Sequence, residues 1–74
     1  MTMLETAQPQ LRWAEADDGF WVADDHGAFA GTIDRQGRHH YVRNAFGEYL
    51  GDYRTRAAAE QALAGHRERV GAAC

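Results

Sequence analysis

From Leu11 to Tyr53 apolar residues come in short runs that are broken by glycine at regular intervals. From Thr55 onward they recur every three or four residues. Gly19, Gly27, Gly37 and Gly47 stand 8, 10 and 10 residues apart, the pitch of hairpins between short strands. Three of them close tetrapeptides of one kind: Asp24-Asp25-His26-Gly27, Asp34-Arg35-Gln36-Gly37 and Asn44-Ala45-Phe46-Gly47. In each, Asp or Asn opens a type I turn by bonding to the backbone ahead of it, and glycine takes positive φ as a G1 bulge. The pattern predicts strands at 20–24, 28–34, 38–43 and 48–53. Asp17-Asp18-Gly19 adds a fifth at 11–16, led by Leu11-Arg12-Trp13.

The second period is helical. Ala59, Ala62, Leu63, His66 and Val70 fall at i, i+3, i+4, i+7 and i+11, one stripe of an α-helix. Thr55 is the expected N-cap, and Gly65 either ends the helix or weakens it. The predicted fold is α+β: a four- to five-stranded antiparallel β-meander with one C-terminal α-helix packed on one face. Residues 1–10, polar and with the only proline, Pro9, read as a flexible lead-in. Residues 11–70 read as a single domain and 71–74 as a loose tail.

The turn chemistry also predicts a register, with Asp34 opposite Arg38 and Asn44 opposite Glu48. Gly31, Tyr41 and Gly51 then become neighbours, as do Ala30, Val42 and Leu50, and Thr32, His40 and Asp52. Side chains alternate between faces, so a one-residue slip exchanges them. One face carries Phe20, Val22, Ala30, Val42 and Leu50 and is the expected core, under Ala59, Ala62 and Leu63. The other carries Trp21, Phe29, Ile33, Tyr41, Tyr49 and Tyr53, with His39 and Arg43 among them. Gly31 and Gly51 leave room there for the Tyr41 ring. One helix covers one face, so this aromatic face is a binding surface or a second small core that takes in Trp13 or Leu4. The helix lying on the aromatic side instead is the remaining arrangement. The side occupied by Trp13 depends on the form of the Asp17-Asp18-Gly19 turn.

Composition narrows the function. The chain has 74 residues, 45% apolar and 26% charged, with 8 basic and 11 acidic residues and a net charge of −3. That is one domain with one small core. The acidic balance argues against a protein that tracks phosphates. No apolar run approaches the ~20 residues of a membrane span, and the N-terminus lacks a secretory pattern, so a cytoplasmic protein is expected. The single cysteine, Cys74, excludes an intrachain disulfide and a Cys-based zinc site.

The candidate chemistry is thin. His39 and His40 are adjacent on a strand and point to opposite faces, so one metal cannot take both, and no metal or cofactor is expected. His40, Asp52 and Thr32 form a possible base, orienter and nucleophile, but small antiparallel sheets assemble such trios by chance, and no enzyme is expected. The glycines lack phosphate-loop spacing. Acidic residues Glu15, Asp17, Asp18, Asp24, Asp25 and Asp34 lie at loop ends, where they serve the turns or form a rim for a basic surface. Arg38, Arg54 and Arg56 cluster near one end of the sheet.

The stretch Gly51-Asp52-Tyr53-Arg54-Thr55-Arg56-Ala57-Ala58-Ala59-Glu60-Gln61-Ala62-Leu63 resembles the strand-to-helix step of small bacterial and phage β-meander-plus-helix proteins. Among these are the AP2-like arm-binding domains of tyrosine integrases. That resemblance implies a sheet laid into DNA with a helix behind it. The chain departs from the pattern in strand number, in its negative charge, and in offering His39 and Arg43 among aromatics in place of a row of Lys and Arg. DNA binding is therefore not carried over.

The expected function is a non-catalytic protein-binding module acting through Trp21, Phe29, His39, Tyr41, Arg43, Tyr49 and Tyr53. A small phage or mobile-element inhibitor of a nucleic-acid-handling complex, as anti-CRISPR proteins are, is one concrete form. The rival is a single-stranded nucleic-acid or DNA-binding domain that stacks bases on the same aromatics. A homodimer burying that face is the third reading.

Overall fold

The computed structural model describes residues 11–73, with side chains described through Glu68. Five strands, β1 (Arg12–Asp17), β2 (Phe20–Asp25), β3 (Ala28–Gln36), β4 (His39–Asn44) and β5 (Tyr49–Tyr53), precede one helix, α1 (Arg56–Ala73). The strands form a single antiparallel sheet in chain order, so every connection is a hairpin. The α+β meander with one helix on one face is as the turn spacing predicts. Thr55 caps α1: its Oγ1 accepts the Ala58 backbone N–H at 3.1 Å. Gly65 does not end the helix, which runs on to Ala73. The expected lead-in at 1–10 and Cys74 lie outside the described residues.

The turns differ in type, and their differences set the faces. At Asn44–Glu48 the expected G1-bulge turn forms. Gly47 N–H donates to Asn44 O at 3.0 Å, Asn44 N–H donates to Glu48 O at 2.9 Å, and Gly47 has φ 81. Asn44 is buried, and its Oδ1 takes the N–H groups of Phe46 and Glu48 while its Nδ2 donates to Glu48. The β3–β4 hairpin instead closes on two residues. Gln36 pairs with His39, and Gly37 carries the positive φ of 62 at the first loop position, as a type II′ turn requires. At β2–β3 both central residues, His26 and Gly27, have positive φ, the type I′ signature.

The short β3–β4 turn overturns the expected register. Tyr41 faces Asp34, not Gly31, and Val42 faces Ile33. The displacement is odd, so β2 and the part of β3 from Gly31 onward exchange faces relative to β4, while a bulge at Ala30 keeps that residue in the core. A bulge at Leu50 then moves Tyr53 opposite His40. The buried core is Trp21, Ala23, Ala30, Ile33, Val42, Ala59 and Leu63, with Leu11, Trp13, Leu50 and Tyr53 packed against it. Phe20 and Val22, expected in the core, are only half-buried and lie on the opposite face. Ala30, Val42, Ala59 and Leu63 hold their expected places, and Ala62 is half-buried.

The helix comes close because β3 has a glycine beneath it. A Cβ on Gly31 would collide with the Arg43 carbonyl oxygen and approach Leu63 Cδ2 to 2.9 Å, and its φ of 152 disfavours any side chain. Gly31 therefore makes room for Leu63, not for Tyr41. Gly51 lies beneath the Tyr53 ring, whose hydroxyl is 3.1 Å from where a Cβ would sit. The far end of the helix is tied to the β2–β3 turn: Arg67 Nη2 donates to Asp25 Oδ2 at 2.7 Å, and His26 Nδ1 lies 2.8 Å from Asp25 Oδ1.

Gly31→Ala is expected to lower stability by about 2–3 kcal/mol through overpacking and backbone strain. Gly37→Ala, with open space around it, should cost about 1 kcal/mol. Urea midpoints measure both. The His26 hydrogen bond first, and the Arg67 bond second, hold the Asp25 carboxyl below the usual carboxylate range against its desolvation. The folded state thus binds fewer protons there than the unfolded chain. The Asp25 contribution is present above the ordinary carboxylate pKa of about 4 and is lost as pH falls below it. Asp25→Asn should lower the urea midpoint at neutral pH and shrink the loss of stability on acidification.

Candidate functional site: the open face of the sheet

The face away from α1 is assembled by the register. Thr32 lies opposite Arg43, Asp34 opposite Tyr41, Gln36 opposite His39, Tyr41 opposite Asp52, and Arg43 opposite Tyr49. Phe20 and Val22 extend the same face along β2, opposite Asp34 and Thr32. The rings form a short row. His39 and Tyr41 have centroids 6.4 Å apart at 37°, and Tyr41 and Tyr49 are 6.3 Å apart at 36°, tilted contacts within the ordinary range of aromatic pairs. Tyr49 is 54% exposed, and Tyr41 is half-buried between its neighbours.

Polar groups edge this row. His39 Nδ1 lies 3.1 Å from Asp52 Oδ2, yet the ring is not aligned for a hydrogen bond, and Nδ1 has no aligned partner. Proximity without alignment makes this a loose electrostatic contact. Arg43 Nη1 donates a long bond of 3.4 Å to Gly47 O, which leaves most of its donors to solvent. Partial desolvation is the main cause that raises the Tyr49 phenol above the usual tyrosine value, and the negative charge of Asp52 adds to it.

Of the seven expected site residues, His39, Tyr41, Arg43 and Tyr49 meet on this face. Phe29 is 51% exposed, near the far end of β3 beside Asp24. Trp21 and Tyr53 do not join them. Trp21 is 7% exposed on the helix side. Arg56 and Arg35 hold their guanidinium carbons 5.1 and 5.8 Å from its ring centroid, and the His40 ring lies 6.0 Å away. Tyr53 shares that side, and its carbonyl accepts a 3.3 Å bond from His40 Nδ1. A carbonyl cannot donate, so this bond places the His40 proton on Nδ1. Asp52 and Phe46 are the residues the sequence reading left out of the site. Asp52 joins His39 once the Leu50 bulge is counted. Phe46, 87% exposed, stands at the tip of the β4–β5 turn, where its place in the turn tetrapeptide signals exposure.

The residues cast for catalysis separate. His40 lies on the helix side, whereas Asp52 and Thr32 lie on the open face. Among the described residues no three His, Cys, Asp or Glu side chains gather as a metal group, and no helix is long and apolar enough to cross a membrane. A groove of about 210 Å³ between β5 and α1, lined by Leu50, Tyr53, Gln61, Ala62, Gly65 and His66, is smaller than the ~300 Å³ at which small-molecule pockets begin.

An ultraviolet titration of tyrosine should show one phenol ionising above the usual value of about 10. Because the folded state favours its neutral form, the Tyr49 contribution to stability is present below that value and lost as pH rises through the folded one. Asp52→Asn should move this phenol part of the way back, since desolvation remains.

Compared with protein-family models, with curated proteins and with solved structures, the chain matches none.

Proposed function

We propose that the chain is a non-catalytic protein-binding module that engages its partner through the open face of the sheet. Tyr41 and Tyr49 are the anchors, and His39, Arg43 and Asp52 supply the polar edge. The observation that carries this reading is that α1 packs against one face of the sheet while a row of tilted aromatic rings stands half exposed on the other. Tyrosine and arginine are enriched at the energetic centres of protein interfaces, since a ring brings area and a polar tip at low entropic cost. Two paired strands, β4 and β5, hold these rings in place, so little ordering is needed on binding. The carboxylates of Asp34 and Asp52 share the face with the tyrosines and oppose a phosphate backbone, which favours a protein partner over a nucleic acid.

The test is capture of a partner from cell extract by the wild type and by variants, at low and high salt. Tyr41→Ala and Tyr49→Ala are expected to abolish capture while changing stability by about 1 kcal/mol or less, as for partly exposed side chains. Trp21→Ala removes a core residue and should cost about 3–5 kcal/mol, so it reports on folding and not on binding. Capture of nucleic acid that weakens steeply with salt, or variants that bind as the wild type does, would sink the proposal.

A further inference from the structure

β1 is the sheet edge with the least cover. Among the described residues it pairs with β2 on one side only, and α1 packs against β3, β4 and β5. Every β1 residue except Trp13 is exposed. The other edge, β5, is shorter, is broken by the Leu50 bulge and lies against the helix. An open edge offers a row of free N–H and C=O groups, and proteins blunt such edges with Lys, Pro, brevity or bulges. β1 has six residues, Arg-Trp-Ala-Glu-Ala-Asp, with neither lysine nor proline, and its one bulge, at Ala16, leaves Arg12 to Glu15 in regular pairing.

We propose that two copies of this chain pair antiparallel along β1, about a two-fold axis through Ala14, to give one continuous ten-stranded sheet. The self-complementarity of the strand carries the proposal. Arg12 and Ala14 lie opposite Asp24 and Val22, on the open face. The bulge at Ala16 returns Asp17, opposite Phe20, to that same face. With Ala14 on the axis, Arg12 of each copy meets Asp17 of the other, and Trp13 meets Glu15 on the helix side. The Arg12–Asp17 ion pair and the Trp13–Glu15 contact each occur twice by symmetry. Among the described residues Arg12 and Asp17 have no ion-pair partner in their own chain, and Asp17 Oδ1 takes only the Asp18 backbone N–H, at 2.8 Å. The neighbouring registers are worse. An axis through Trp13 leaves Asp17 beyond the paired segment, and one through Glu15 sets two like charges face to face.

The axis stands perpendicular to the sheet, so both open faces lie on one side of the dimer. Two Tyr41–Tyr49 rows then face a partner together, which raises avidity for a symmetric target. The pairing itself does not depend on the function proposed above.

Light scattering across a range of protein concentration tests the pairing with the wild type, Arg12→Asp, Asp17→Arg, the double exchange Arg12→Asp/Asp17→Arg, and Tyr41→Arg. The wild type is expected to dimerise. Each single charge substitution should weaken the dimer on the order of tenfold, from two like-charge contacts. The double exchange should restore it, which also shows that the edge still folds, and Tyr41→Arg should leave it intact. A wild type that is monomeric at every concentration overturns the proposal. So does a dimer indifferent to both single substitutions, one not restored by the exchange, or one lost in Tyr41→Arg. Partner capture by the same Tyr41→Arg variant reports separately on the open face.

Discussion

The two-residue turn at Gly37-Arg38 decides which side chains lie under the helix. Pairing Gln36 with His39 puts Ile33 beside Val42, and these two, with Leu63 above them, are the largest fully buried side chains. A three-residue turn at the same place would set Tyr41 against Gly31 and push the β3 aliphatics to the other side. Glycine at the first loop position permits the positive φ that a type II′ turn needs, and the turn that forms is transmitted through the whole sheet by the period of two.

The open face follows from this placement. Once Ile33, Val42 and Trp21 turn toward α1, the alternate set of β4 and β5 turns away from it. That set contains His39, Tyr41, Arg43, Tyr49 and Asp52. Their closeness is a product of register and not of sequence proximity, since Tyr41 and Asp52 are eleven positions apart. The Leu50 bulge is the second device. It keeps Tyr49 on the open face while moving Tyr53 beneath the helix, where its ring covers Gly51. Bulges re-aim single side chains in this way.

Trp21 shows how a strong binding cue became a structural one. A tryptophan flanked by arginines and histidine has the composition of an interface anchor. Here the same residues converge on the helix side, where Arg35, Arg56 and His40 close over the indole and leave it 7% exposed. The long side chains bury their stems and keep their charges in water. The small core thus gains cover at β2, which the backbone of α1 does not approach, from long side chains, one of them the helix's own Arg56.

The element order, the hairpin meander, the N-cap at Thr55 and the inward positions Ala59 and Leu63 were legible in the sequence, because each rests on local chemistry: glycine punctuation, a capping hydroxyl and a helical period. The turn at Asn44–Glu48 was legible for the same reason. The grouping of His39, Tyr41, Arg43 and Tyr49 on one face was legible as well, since they belong to two strands joined by that turn. What only the tertiary structure decided is the relation between the halves of the sheet. Asp34-Arg35-Gln36-Gly37 fits a bulged type I turn in isolation, and Gly37-Arg38 fits a type II′ turn equally well. The choice between them is made by packing: only the shorter turn brings Ile33 and Trp21 under Leu63 and Arg56, and that burial lies outside any local window of the chain.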